Sequence, residues 1–280
     1  MSSNNPDPQL AALIDLALTE DLGSGDLTTN ALFTDRAQGA AGLIARQALV
    51  VSGLDVTAAV FTRLDKSCSF KLLTQDGRHV KKGTVLARIR GPVRALLIGE
   101  RPALNFIRHL SGIASLTAEY VKALKGTGCT LLDTRKTTPG LRRLEKAAVR
   151  AGGGSNHRLG LFDGAMIKDN HITAAGSIRA AVKTVRKSIP PTVKIEVECS
   201  NFKQVRESLA AGADIIMLDN MPPEKMAKAV ALVAGQAATE ASGNITLKNI
   251  RATAKTGVDF ISVGALTHGA RAVDISMELE

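Results

Sequence analysis

The stretch TLLDTRKTTPG, residues 130 to 140, runs from the apolar pair Leu131 and Leu132 into Asp133, Arg135 and Lys136, then ends in a Pro-Gly break. Two adjacent cations at the end of a strand that reads as buried cost desolvation. An anionic ligand would offset that cost. The pattern recurs downstream, where short apolar runs alternate with helix-patterned stretches, as βα units of a parallel sheet do. Six strands are predicted, TLLDT, GAMIK, KIEVE, DIIMLD, ATEASG and VDFISVG, separated by helical stretches such as LRRLEKAAVRAG, AGSIRAAVKTVRKS and KQVRESLAAG. Nearly every strand finishes in residues able to do chemistry: Asp133 with Arg135 and Lys136, Lys168, Glu198, Asp219, Ser242 with Gly243, and Gly264. A barrel of parallel strands gathers such ends at one mouth, whereas an open doubly wound sheet sets them along one edge. The barrel gathers all six more tightly, and six strands fall short of eight, so an incomplete α/β barrel is expected.

Upstream, Leu10, Leu13, Ile14, Ala17 and Leu18 recur at helical spacing until Gly23. A strand through AGLIARQALVV, a helix through DVTAAVFTRL and strands through CSFKLL and TVLARIRG then read as a small α+β domain. A helix between about Gly99 and Lys125 is expected to start near Glu100, because Pro102 fits only a first turn, and to bridge two domains. The predicted division is residues 1–115 and 116–280, with the last turn packing back on the N-terminal domain.

The 280 residues are 45% hydrophobic, enough for a sizeable core. A net charge of +10 and a pI near 9.7 attract anions, whether nucleic acid, acidic lipid or small phosphorylated metabolites. With 3% aromatic residues, no Trp and one Tyr, the chain lacks the stacking platforms of single-stranded nucleic-acid binders. That turns the reading towards small anions and away from nucleic acid. The polar start MSSNNPDPQL lacks signal-peptide features, and no apolar run approaches the roughly 18 residues of a membrane span. A soluble cytoplasmic protein is expected. Cys68, Cys129 and Cys199 are too few and too dispersed for a disulfide framework or a zinc motif, and read as reduced core residues.

Arg135, Lys136, Arg158 and Lys168 fall at or beside strand ends, and His157 precedes Arg158. If they converge they form an anion pocket, with guanidinium forks suited to carboxylates and ammonium groups to phosphate. Glu198 and Asp219 end consecutive strands; they suit a Mg²⁺-bound phosphate ligand or a developing cation, or serve as partners of the pocket lysines. Ser242-Gly243 and Val263-Gly264 end the last two strands, where barrels often hold phosphate on backbone N–H groups. His268 either adds a donor there or is structural. LRRLEKAAVR places Arg142, Arg143, Lys146 and Arg150 on what reads as a solvated helical face. AGGGSN, residues 151 to 156, fits neither a dinucleotide fingerprint nor a Walker pattern and reads as a flexible helix exit feeding a site loop.

The run DTRKTTPGLRRLEKAAVRAGGGSNHRLGLFDGAMIKDNH resembles the central signature of the quinolinate phosphoribosyltransferase family. EDLGSGDLTT, ERPALNFIRHLSGIASLT, KIEVE, IIMLDN, EASGNI and GVDFISVGALTH resemble further family segments in the same order. The resemblance implies an N-terminal α/β sandwich-like domain, an open α/β barrel, and a homodimer in which one subunit's N-terminal domain covers its partner's barrel mouth. It implies a Mg²⁺-dependent reaction of quinolinate with phosphoribosyl pyrophosphate that yields nicotinate mononucleotide, pyrophosphate and CO₂ in de novo NAD synthesis. Carried over to this chain, quinolinate binding falls to Thr134, Arg135, His157, Arg158 and Lys168, with Arg101 acting across the dimer interface. Catalysis falls to Lys136, Lys168, Glu198 and Asp219, the two carboxylates reaching the metal through water. Phosphate binding falls to Lys136, Ser242, Gly243, Asn244, Val263, Gly264 and His268.

Overall fold

The structure is a computed structural model that describes residues 8–34 and 36–280; most of the polar start, residues 1 to 7, lies outside them. The chain divides into two compact units. The first comprises Met1–Leu116, Arg150–Gly152 and Ala270–Glu280, the second Thr117–Val149 and Gly153–Gly269.

The first unit carries α1 (Pro8–Leu22), α2 (Leu27–Leu32), β1 (Gln38–Ala45), β2 (Leu49–Val50), α3 (Leu54–Leu64), β3 (Ser69–Leu72), β4 (His79–Val80), β5 (Val85–Pro92) and most of α4 (Val93–Leu124). An antiparallel sheet sets the chain's last strand, Ile275–Leu279, beside β1, followed by β5 and β3. Ala41, Leu43, Leu86 and Ile89 are fully buried in it, and Phe61 of α3 stacks on Phe70 of β3 with centroids 6.5 Å apart.

The expected start of α4 near Glu100 is corrected: the helix begins at Val93 and carries Pro102 in its interior. Proline removes one helical hydrogen bond and crowds the preceding turn, at about 3 kcal/mol. Burial of Leu96, Ala103, Ile107, Leu110 and Ile113 along the same helix outweighs that, since a fully buried aliphatic side chain contributes roughly 1.5–3 kcal/mol.

The second unit carries β6 (Thr130–Leu132), all but the last two residues of α5 (Arg142–Ala151), β7 (Ala165–Ile167), α6 (Asp169–Ala175), α7 (Ile178–Ser188), β8 (Ile195–Cys199), α8 (Phe202–Ala210), β9 (Ile215–Asp219), α9 (Pro223–Val233), β10 (Ala238–Ser242), α10 (Ile250–Ala254), β11 (Phe260–Ser262) and α11 (Ala265–His268). All six predicted strands form, in one parallel sheet ordered β6-β11-β10-β9-β8-β7. The order follows the chain except for β6, which pairs with β11 rather than with β7. That is the winding of a barrel left open between β6 and β7. Ser155 alone lines the free edge of β6 among the described residues, its N–H donating to Leu131 O at 2.8 Å.

Strand alternation sorts the chemistry by face. In β8, Ile195, Val197 and Cys199 are fully buried on one side, where Cys199 Sγ lies 3.2 Å from Ser208 Oγ of α8. Glu196 and Glu198 take the other side. The three cysteines are free: Cys199 is buried as expected, whereas Cys68 and Cys129 are only half-buried. No helix among the described residues is long and apolar enough to cross a membrane.

Candidate active site

The exit of β6 is anchored by a buried ion pair. Asp133 is fully buried and pairs with Lys146 of α5, itself 2% exposed. The same carboxylate accepts from Asn156 Nδ2 at 2.5 Å and from the backbone N–H of His157 at 2.9 Å, while Lys146 Nζ also donates to His157 O at 3.0 Å. The expected solvated face of α5 is therefore corrected. Arg143 and Arg150 are exposed, but Lys146 turns inward because the buried strand-end carboxylate needs a counter-charge. Arg142 also folds back, donating to Thr137 Oγ1 at 2.9 Å and Leu159 O at 3.2 Å. Glu145 accepts the Thr138 N–H at 3.1 Å. One helix thus pins both the loop carrying Arg135 and Lys136 and the loop carrying His157 and Arg158.

These loops and the strand ends enclose a cavity of about 760 Å³. Thr134, Arg135 and Lys136 line it from β6, His157 and Arg158 from the loop after α5, and Lys168 from the end of β7. Glu198 and Asp219 line it from the ends of β8 and β9, and Ser242, Gly243, Asn244, Val263, Gly264 and His268 line it from the last two strand ends. Every site residue predicted within the second unit is brought together. Arg101 lies in the first unit, exposed on α4.

The cations are crowded before any anion arrives. Arg135 Nε is buried with no hydrogen-bond partner among the described residues. Burial first, and the neighbouring Arg135 charge second, pull the Arg158 guanidinium below its ordinary value; its Nη1 donates to Gly164 O at 3.0 Å. Lys168 pairs with Glu198, while Asp219 accepts from Asn220 Nδ2 at 2.8 Å.

The turns after β9 and β10 are conformationally unusual. Asn220, Gly243 and Asn244 all have positive φ, at 54°, 94° and 53°. Asn220 N–H donates to Ser242 O at 2.9 Å and Asn244 Nδ2 to Asn220 Oδ1 at 2.9 Å, so the two turns lock together. Such strain is characteristic of ligand-binding turns. At the next strand end, a Cβ on Gly264 would stand 3.0 Å from Lys136 Cδ and 3.2 Å from His268 Nε2. The bare glycine backbone therefore sits against both side chains.

Beneath the cations, His157 Nε2 lies 3.1 Å from Glu196 Oε2 and 3.5 Å from Glu240 Oε2, and its Nδ1 accepts the Arg158 N–H at 2.7 Å. Burial opposes charge on this ring, but the hydrogen bonds and charges of Glu196 and Glu240 outweigh it and push the imidazole up to about 10. The Arg158 N–H favours instead the neutral ring with its proton on Nε2. Nε2 carries a proton in either form. Glu196, Glu240, Lys146, Asn156 and Ser262 were not singled out from sequence as site residues. A signal existed for three of them: Glu196, Glu240 and Ser262 each stand two residues before Glu198, Ser242 and Gly264, which the strand period places on the same inward face.

An open barrel whose strand ends converge on one cavity, lined by four cations and two carboxylates, defines an enzyme site for small anionic substrates. The chain belongs to the quinolinate phosphoribosyl transferase family, matching its N-terminal domain over residues 26–111 and its C-terminal domain over residues 113–278. It is 47% identical over 271 residues to the Bacillus subtilis (strain 168) protein named "Probable nicotinate-nucleotide pyrophosphorylase (carboxylating)", covering 97% of this chain and 93% of that one. It is 40% identical over 296 residues to the chloroplastic nicotinate-nucleotide pyrophosphorylase (carboxylating) of Arabidopsis thaliana, covering 99% and 84%. NadC from Streptococcus pyogenes superposes with a TM-score of 0.93 at 44% identity, over 99% of both chains.

Proposed function

We propose that this chain transfers the phosphoribosyl group of phosphoribosyl pyrophosphate to quinolinate, with decarboxylation, giving nicotinate mononucleotide, pyrophosphate and CO₂ in de novo NAD synthesis. The carrying observation is the single cavity that gathers Arg135, Lys136, Arg158 and Lys168 with Glu198 and Asp219. Quinolinate is a dianion, and Arg135, Arg158 and Lys168, with Thr134 and the His157 turn, would hold its carboxylates and aim the ring nitrogen at the anomeric carbon, largely an orientation effect. In a cytoplasmic homodimer, the partner's Arg101 would complete that cradle.

The 5′-phosphate would rest on the backbone of Gly243, Asn244, Val263 and Gly264, with Ser242 and His268 as side-chain donors. Lys136 would neutralise the departing pyrophosphate. Glu198 and Asp219 would stabilise the oxocarbenium-like sugar and order its hydroxyls. Their hard carboxylate oxygens at the ends of adjacent strands also suit Mg²⁺, which they would hold through water, since this ion keeps several waters when bound. The ion would supply charge neutralisation at the phosphates. Once ribosylated, the positive ring nitrogen stabilises the electron pair left on the adjacent carbon when CO₂ departs, and a proton from solvent water then takes up that pair; orientation and desolvation assist the bond cleavage.

Incubation with carboxyl-labelled quinolinate, phosphoribosyl pyrophosphate and Mg²⁺ is expected to release labelled CO₂. Turnover of nicotinate with no labelled CO₂ from quinolinate would refute the reading.

Gly243→Ala is expected to raise KM for phosphoribosyl pyrophosphate about tenfold or more with the fold retained, because an added Cβ would lie 2.2 Å from Asn220 Oδ1 at a φ of +94°, a strain of roughly 1–3 kcal/mol at the turn. Steady-state kinetics beside a melting curve check this; an unchanged KM would remove the turn from phosphate binding.

A further inference from the structure

We propose that Glu196 and Glu240 are positioning residues: they grip the Nε2 proton of His157 from inside the barrel, and through that ring fix the turn that aims Arg158 at the anionic substrate. This rests on the reading of quinolinate as that substrate.

Residue 157 is tied to the chain at every polar group. Its N–H donates to Asp133 Oδ1 at 2.9 Å and its carbonyl accepts from Lys146 Nζ at 3.0 Å. Nδ1 accepts the Arg158 N–H at 2.7 Å, and Nε2 faces Glu196 and Glu240 at 3.1 and 3.5 Å. With Nδ1 accepting, the ring has no donor left for a ligand. The imidazole acts as a strut, with the backbone of Arg158 fastened to one end and two carboxylates to the other.

The carboxylates are a costly way to build a core. Glu196 is 4% exposed and Glu240 1%, from β8 and β10, and Oε1 of each has no hydrogen-bond partner among the described residues. Apolar residues of similar size at such positions are often as stable or more so. Retaining two half-satisfied acids beneath a cluster of cations therefore points to a role in holding that cluster. A divalent metal is the rival occupant, since the three ligand atoms lie within 4.8 Å of one another. The neighbouring Arg135 and Arg158 charges disfavour further positive charge there.

The test compares wild type, Glu240→Ala, Glu240→Gln, His157→Ala and the Glu240→Ala/His157→Ala double variant, with KM measured for each substrate. Displacing the turn is expected to raise KM for quinolinate about tenfold or more in Glu240→Ala while KM for phosphoribosyl pyrophosphate stays put. Glu240→Gln keeps an acceptor and should recover to within about threefold of wild type. The double variant should be no worse than His157→Ala, because Glu240 acts through the ring. Equal shifts in both KM values, or additive losses in the double variant, overturn the clamp. So does one metal ion per purified wild-type chain that Glu240→Ala loses. If Glu240→Ala does not fold, Glu196→Ala takes its place, with a quinolinate-only loss that Glu196→Gln recovers and that vanishes in the His157→Ala background. Failure of the wild type to release CO₂ from quinolinate overturns the functional reading and the clamp together; with wild-type release intact, the variants judge the clamp alone.

Discussion

Lys146→Ala is expected to destabilise the chain by about 3–5 kcal/mol, because it leaves the Asp133 carboxylate buried without its cation. Asp133 is fully buried, and Asn156 and the His157 N–H would be its remaining partners. Neither brings charge. The loss should be much smaller in Asp133→Asn/Lys146→Met, where both charges leave together, since breaking a buried pair costs more than replacing it. Denaturant unfolding of the two variants decides the matter: a loss under about 1 kcal/mol in Lys146→Ala would show that the pair does not anchor the β6 exit. Activity should fall with stability, since the same lysine holds the carbonyl of His157.

Lys136→Ala should behave in the opposite way, losing about 10²–10³-fold in turnover with little change in melting temperature, as expected for a charge aimed at a leaving group. Lys136 is exposed, and its backbone is held independently, its N–H by Thr134 Oγ1 at 3.0 Å and its carbonyl by Thr267 Oγ1 at 2.7 Å. Removing the side chain leaves those anchors intact. A kcat within about threefold of wild type would take Lys136 out of the catalytic step.

The pair at 135 and 136 shows why the barrel was legible. Apolar runs that stop abruptly at polar residues mark strand ends without any tertiary knowledge, and six such stops are enough to specify parallel βα units. The structure then gives the adjacent cations different surroundings: Arg135 is half-buried, while Lys136 is exposed at the cavity. Lys146 was illegible for a physical reason. On a helix otherwise rich in arginine it matches a solvated stripe, because lysine is rarely buried unpaired, and its partner Asp133 is supplied by a preceding strand end that helical periodicity does not register. Glu196 and Glu240 were hidden more thinly. Their side is set by the strand period, but their depth depends on which end of the barrel the site occupies. Pro102 misled because a local penalty was weighed without the buried row that offsets it.

Because β6 and β7 do not pair with each other among the described residues, no ladder of backbone bonds crosses the seam between them. Arg135 hangs from one lip of that seam and Lys168 from the other. The clearance between the two lips is therefore set by side chains and loops rather than by backbone pairing. A change on α5, whose Arg142, Glu145 and Lys146 hold the loop after β6 and the loop of His157, can therefore move the β6 side of that gap from a distance.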